Sequence, residues 1–312
     1  MSAIREQVTA RRLVGRNVWL GHPGPEVNDF LAGVRVGKFK YEVMPSEEAI
    51  GRAMFDEIEA AASAKQGPLV IILLGGRGAQ ALHRLLGHAS QTEAKDYLLK
   101  RLHIFTQDAL APMRIDNGLS FVRDFERLLG KDFFRKIKSF TCMRTDTSDL
   151  EGELGHYVEK LESLGGIDIF FLGLGPEPAG ASHLAYIKPA SGASGADVAG
   201  MIPISQSILE HHITKFKAGG SVVSERDEAE CRAATHILTL GPAAILGARR
   251  IVQSVVDAST APAKRESYRR LLNTEIAAEA GARAAQLDEN PGLWLRFHPN
   301  VRSLILSDVL EA

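Results

Sequence analysis

Between Gly165 and Ser191 the chain reads GGIDIFFLGLGPEPAGASHLAYIKPAS, an apolar stretch that stops abruptly in a polar, glycine-rich loop. Ile167 to Leu172 is too short for a helix and lacks the alternation of a half-exposed strand. Its β-branched and aromatic content suits a strand buried on both faces, and such strands belong to parallel sheets covered by helices. The loop that follows supplies the polar groups. Gly173, Gly175 and Gly180 let a ligand approach the main chain closely, while Glu177, Ser182, His183 and Lys188 offer side chains. Ligands gather beyond the carboxyl ends of strands in open parallel sheets, so this strand end is the first candidate site.

The same pattern recurs. Leu69 to Leu74 is a second buried strand, followed by Gly75-Gly76-Arg77-Gly78 and a helix from Ala79 through Leu86. Strand, glycine turn and helix start make an anion-binding shape, because backbone N–H groups and the helix dipole point outward there. Such a turn equally serves only to let the helix pack on the sheet. Leu102 to Thr106 reads as a third strand with Gln107-Asp108-Ala109 at its end, where a lone aspartate is often a cap or turn residue. Further strands are expected at Thr235 to Leu240 and Arg250 to Val256. Helices are expected from Ser46 to Ala64, Phe121 to Ile137, Asp149 to Leu164, Pro242 to Gly247 and Ala263 to Leu272. The repeated strand-helix-strand order implies an α/β fold, an open and mostly parallel sheet with helices on both faces and right-handed crossovers.

A chain of 312 residues that is 45% hydrophobic can bury the core of one large domain. A net charge of −1 gives no general attraction to nucleic acid or to an anionic membrane surface, so any anion site must be local. Cys142 and Cys231 are too few for a disulfide framework and suit a reducing compartment. No apolar run approaches a membrane span and MSAIREQVTARR lacks an apolar signal core, so a cytoplasmic location is expected. His211-His212 has neither a second histidine at helical spacing nor a cysteine partner; it reads as surface, and no metal or cofactor is expected. Walker, zinc and G-x-S-x-G patterns are absent, and Gly-Gly-Arg-Gly lacks the dinucleotide fingerprint spacing. Residues 1–45, with Arg5, Arg11, Arg12, Arg16 and the turn-rich Gly21-His22-Pro23-Gly24-Pro25, read as an N-terminal extension before a main domain at 46–312. The extension would clasp the surface or sit between copies in a homo-oligomer. The small residues of SGASGADVAG, 191–200, read as a flap over the site or a surface loop.

Gly173-Leu174-Gly175 and His183-Leu184-Ala185-Tyr186-Ile187-Lys188-Pro189 resemble the two halves of G-x-G-x-D-G-H-I-A-F-N-E-P, the signature of glucosamine-6-phosphate deaminases and 6-phosphogluconolactonases. The link Pro176 to Ser182 is longer than theirs. Further likeness lies in Asp108 followed at the matching separation by Ser120-Phe121, in Asp132 to Ile137, in Leu238-Thr239-Leu240-Gly241, and in Leu295 to His298 and Ser307 to Ala312 near the end. The resemblance spans roughly residues 45–312 and implies a Rossmann-like three-layer sandwich of the glucosamine-6-phosphate deaminase type. It also implies that Asp108 and His183 are catalytic, Asp108 matching the family's proton-transfer aspartate. Gly75, Gly76, Arg77 and Gly78 take the place of a phosphate loop, with Arg77 where a small hydroxyl residue is usual. Lys264 lies near a phosphate-binding lysine, with Asp257 in place of a glycine; it reads equally as a solvated lysine at a helix start.

The departures bear on chemistry. Ala109, Ala181 and Lys188 stand at acidic positions of the deaminase pattern, and Ser205-Gln206-Ser207 lacks its arginine. Without those carboxylates an imidazolium at 183 loses electrostatic support, and Glu177 in the lengthened loop is the group that would restore it. Lys188 would be tolerable in a lactonase, as a cation near the opening ester oxygen. The ligand implied is a small phosphorylated sugar or sugar acid. Three functions follow from the resemblance: deaminase or isomerase, lactone hydrolase, and a non-catalytic sugar-phosphate sensor or scaffold.

Overall fold

The computed structural model describes residues 10–22 and 38–311. Arg5, Pro23-Gly24-Pro25 and Ala312 lie outside the described residues. Seven strands form an open, wholly parallel sheet: β3 (Tyr41–Met44), β4 (Leu69–Leu73), β5 (Leu102–Thr106), β7 (Ser139–Thr141), β8 (Ile169–Leu172), β13 (Arg250–Val255) and β14 (Val301–Leu306). Their spatial order is β3-β14-β13-β8-β4-β5-β7. Every residue of β4, β5 and β8 is buried, the consequence of continuous apolar runs that can be placed only with both faces covered.

Helix α1 (Glu47–Ala64) starts where the Ser46 side chain accepts from the Ala49 amide at 3.2 Å. It packs on α2 (Gln80–Ser90), which packs in turn on α3 (Phe121–Lys136). Leu154, Tyr157, Val158 and Leu161 form the buried stripe of α4 (Leu150–Ser163). The chain runs outward from β4 through β5 to β7 on one side, and through β8, β13 and β14 on the other. The winding therefore reverses between β4 and β8, which puts a crevice at their carboxyl ends.

A second sheet was not legible in the sequence pattern. It is antiparallel, in the order β1 (Ala10–Val14), β2 (Asn17–Gly21), β11 (Asp197–Pro203), β12 (His236–Leu240), β6 (Asp108–Ala111). Three expectations are corrected by it. The strand at Thr235 to Leu240 exists from His236, but lies in this sheet rather than the parallel one. Gln107-Asp108-Ala109 is not a terminal turn: Asp108 opens β6, which pairs with β12 through Asp108 and Thr239. Within 191–200, Asp197 onward is a strand at the middle of the sheet, not a flap.

Residues 191–197 are also tied down. The carbonyl of Ser191 accepts from Asn17 Nδ2 at 2.9 Å and Trp19 Nε1 at 3.0 Å, and Arg12 reaches the Gly192 carbonyl at 2.6 Å and the Asp197 carboxylate. Residues 10–21 are a hairpin turning at Gly15 (φ +59°), and the Trp19 ring is fully buried. The Trp19 ring lies over Gly200 so closely that a Cβ there would stand 2.5 Å from it. The hairpin is thus packed by an indole that requires a bare backbone opposite it. No described helix is long and apolar enough to cross a membrane.

Candidate functional site

Four strand ends converge on one cavity of about 100 Å³ at the winding reversal. Leu74 to Gly78 follow β4, Gln107 and Asp108 follow β5, Gly173 to Gly175 follow β8, and Val256 and Asp257 follow β13. The remaining wall comes from His183, Ala185, Tyr186 and from α5 (Gln206–Ala218). Asp108, His183 and the glycine turn Gly75 to Gly78 thus line one cavity.

The lengthened loop is a miniature hairpin. β9 (Gly175–Pro176) pairs antiparallel with β10 (Ser182–His183), and the chain reverses through Ala179 and Gly180 at φ +58° and +69°. Ser182 anchors it by hydrogen bonding to Asn290 Oδ1 and accepting from the Gly292 amide at 3.2 Å, and Ser267 donates to the Ala181 carbonyl. Folding back in this way brings Glu177 onto His183: Oε1 is 3.0 Å from Nδ1, and both side chains are nearly inaccessible. Ser207 of α5 donates to the other carboxylate oxygen at 2.8 Å. Burial pushes the Glu177 carboxyl up, but the hydrogen bond and charge of His183, the Ser207 hydroxyl and Lys188 more than offset it and hold the pKa below the ordinary value. With Nδ1 occupied, Nε2 is the ring's free proton-transfer atom. Gly175 is obligatory here, because a Cβ would overlap the imidazole.

Asp108 has the opposite environment. It is buried where the two sheets meet, and one carboxylate oxygen has no hydrogen-bond partner. Burial drives its pKa well above the ordinary value, against a smaller opposing hydrogen bond from Gln107. The site therefore holds one acid that favours its neutral form and one, Glu177, that favours its charge.

The far wall is cationic. Lys264 is buried, donates to the Val256 carbonyl at 2.8 Å, and has its pKa lowered to about 8, by burial first and then by the charges of Lys215 and Arg77, against the opposing charge of Asp257. Arg77 does not reach into the cavity as a free fork: Nη2 bonds Glu47 Oε1 at 2.9 Å and Nη1 stands 2.9 Å from Asp257 Oδ1. Lys215 lies 3.7 Å from Asp257 Oδ2 and donates to Thr260 Oγ1 at 2.7 Å.

No protein-family model and no curated protein matches the sequence. Solved structures do match in fold. A monomeric glucosamine-6-phosphate deaminase superposes with a TM-score of 0.65 at 21% identity, covering 87% of this chain and 98% of its own. The 6-phosphogluconolactonase of Trypanosoma cruzi gives 0.60 at 17%, covering 88% and 97%. That of Trypanosoma brucei gives 0.59 at 18%, covering 88% and 98%. The fold is that of the glucosamine-6-phosphate deaminases and 6-phosphogluconolactonases.

On this deaminase and lactonase fold, the sequence-marked residues fall as follows. Gly75, Gly76, Arg77, Gly78, Asp108, His183 and Lys264 all line the cavity. Lys188 does not; it is half-buried beside Glu177, and burial lowers its pKa against the attraction of that carboxylate. The reading of His211-His212 as surface is wrong. Both line the cavity, and His212 is buried, stacked on Phe216 with ring centroids 4.1 Å apart. His212 Nε2 is 2.7 Å from the Leu119 carbonyl, which can only accept, so Nδ1 accepts the Tyr186 hydroxyl at 2.8 Å. Burial lowers the pKa of His212 to about 4 and, with nearby Lys264, that of His211 to about 2.

The missed residues carried a signal. Ile208, Leu209, His212, Ile213 and Phe216 recur at helical spacing, so His212 occupies a core position of an amphipathic helix. Tyr186, at φ +57° next to Ala185 at +47°, closes a tight turn held by the Leu184–Ile187 bridge, a conformation the motif does not announce. Among the described residues no group of three or more His, Cys, Asp or Glu side chains is arranged to hold a metal ion.

Proposed function

We propose that this chain is an enzyme acting on a small anionic sugar, a phosphorylated sugar or sugar acid, by proton transfer at a carbon next to a carbonyl, in the manner of an isomerase or deaminase. The observation that carries this reading is the Glu177–His183 pair at 3.0 Å, whose imidazole lines a cavity that Asp108 also lines. An imidazole whose Nδ1–H is held by a carboxylate presents Nε2 as a base, and the carboxylate stabilises the imidazolium once the proton arrives. Glu177 lies at neither 181 nor 188, the two vacant acidic positions that flank His183 in the deaminase pattern, yet performs the electrostatic part those positions imply.

Asp108 takes the complementary role. A buried carboxylic acid that favours its neutral form donates a hydrogen bond to a substrate carbonyl, and that bond strengthens as the oxygen gains charge in the enediol. His183 then returns the proton to the neighbouring carbon. The cationic wall of Arg77, Lys215 and Lys264 would hold the anionic end of the sugar.

Lactone hydrolysis is the second reading, favoured by the lactonase neighbours and by the lighter demand it makes, a base for water and a donor for the ester oxygen. Purified protein assayed for aldose–ketose interconversion, ammonium release from amino-sugar phosphates and hydrolysis of sugar lactones separates the two. Activity in the first two assays that disappears in His183→Ala and Asp108→Asn supports the proposal. Hydrolysis alone moves the assignment to the lactonase reading, and binding without turnover in all three overturns the enzymatic reading.

A further inference from the structure

The cationic wall carries an anion of its own. Asp257, two residues past the end of β13, has φ +69°, and its side chain is only 3% exposed. Its carboxylate stands among three cations, 2.9 Å from Arg77 Nη1, 3.7 Å from Lys215 Nζ and 3.9 Å from Lys264 Nζ. The backbone holds it there, since the Asp257 carbonyl accepts from the amides of Thr260 at 3.1 Å and Ala261 at 2.8 Å. A left-handed conformation is unfavourable for most side chains, although aspartate tolerates it better than most. The strain is spent on placing a negative charge inside a positive pocket.

The charge balance follows from the same contacts. Arg77, Lys215 and Lys264 are opposed by Asp257 and by Glu47, which holds the other end of the Arg77 guanidinium. Three cations and two carboxylates leave a single positive charge. Asp308 does not line the cavity and bonds the Ser259 amide at 2.8 Å, and its field at Lys264 only lowers that residual charge further.

We propose that Asp257 is a specificity-determining counter-anion, which matches this wall to a singly charged group such as a sugar carboxylate and disfavours a dianionic phosphate. The inference rests on the reading of the cavity as a site for an anionic sugar, and narrows it. A phosphate bonded to Arg77 and Lys264 would have its second charge beside the Asp257 carboxylate, while a carboxylate satisfies the one positive charge left over. The residue thereby sets which end-group enters, without touching the reacting carbons.

Calorimetric titration of the full chain and of Asp257→Asn and Asp257→Gly with gluconate and with glucose 6-phosphate tests this. Asparagine and glycine adopt a left-handed backbone at least cost, so the two variants give independent chances of an intact fold, checked by thermal melting. The expected result is wild-type protein binding gluconate more tightly than glucose 6-phosphate. In the variants the preference inverts, with glucose 6-phosphate affinity raised about tenfold or more. Wild-type preference for glucose 6-phosphate, unchanged in both variants, overturns the role of Asp257 and leaves the sugar-binding reading standing. Binding of neither sugar by any of the three proteins overturns both.

Discussion

The carboxylate of Glu177 and the imidazole of His183 meet at 3.0 Å because the chain between them doubles back through a two-residue-wide hairpin. The hairpin exists because the link is long enough to turn at Ala179 and Gly180, and because Ser182 and Ser267 pin its return arm to the body of the fold. A charge-assisted hydrogen bond of this kind contributes about 1.5–3 kcal/mol, and here that energy falls on a proposed catalytic base.

Glu177→Gln keeps the shape of the pair and removes its charge. Turnover on whichever substrate the activity panel identifies is expected to fall about a hundredfold with KM little changed, since the lost interaction strengthens as the imidazolium forms. Steady-state kinetics check this, and an unchanged kcat would remove Glu177 from the mechanism.

Asp108→Asn is expected to abolish turnover while making the protein more stable. The folded-state pKa of Asp108 lies well above its unfolded value of about 3.9, so between the two the native state holds a proton that the unfolded chain releases. Wild-type stability accordingly falls as pH rises above about 4, by up to about 1.4 kcal/mol per unit from this group, and asparagine removes that loss. Thermal melts of both proteins at pH 5 and pH 7 should show the variant's advantage widening with pH.

Anion binding is expected to weaken as pH rises through about 8. Lys264, facing Asp257, Lys215, Arg77 and Asp308, has its pKa lowered to about 8, and an anion in the cavity raises it again. Above pH 8, binding must therefore take up a proton, and affinity falls by up to about tenfold per pH unit. Titrations in buffers of different ionisation enthalpy measure the uptake directly, and Lys264→Met should abolish it. The unliganded fold should gain stability over the same interval, from about 8 toward the unfolded lysine value of about 10.4.

Gly175→Ala places a methyl group where the His183 ring lies. The ring must leave its position against the loop, so activity should fall by more than about a hundredfold. The thermal midpoint should move by only a few degrees, about 1–3 kcal/mol, because the clash lies at the edge of the core. Unchanged turnover would show that the imidazole has room this structure denies it.

Gly200→Ala tests the N-terminal hairpin. A methyl group 2.5 Å from the Trp19 ring forces the indole away from β11 and should destabilise the protein by about 1–3 kcal/mol in denaturant melts. Trp19 fluorescence should change in parallel, as a shift toward the emission of a solvated indole.

The legible part of the site was the part whose signal is local. Gly75 to Gly78, Asp108 and His183 each follow a short apolar run, and the rule that ligands sit beyond the carboxyl ends of parallel strands was enough to assemble them. His211, His212 and Lys215 carry no local mark of a site, because their placement depends on where α5 packs, not on any spacing within it. Lys188 follows His183 in the motif, but the turn at Ala185 and Tyr186 lies between them and Lys188 is absent from the cavity lining. Asp108 is marked in the sequence by its spacing from Ser120-Phe121. Its burial comes from the antiparallel sheet, whose five strands are drawn from four separate parts of the chain, 10–21, 108–111, 197–203 and 236–240.

The amino-acid sequence by itself determined the parallel sheet, since runs such as LVIIL and IFFL are stable only with both faces covered, and that demand is written into consecutive residues. Tertiary structure alone decided the chemistry of the cavity. It set Glu177 against His183, left Asp108 without a counter-charge and seated Asp257 among Arg77, Lys215 and Lys264. The reason is physical: burial follows from hydrophobic pattern over a few residues, whereas a pKa or an ion pair depends on distances between groups brought together from separate strands and helices.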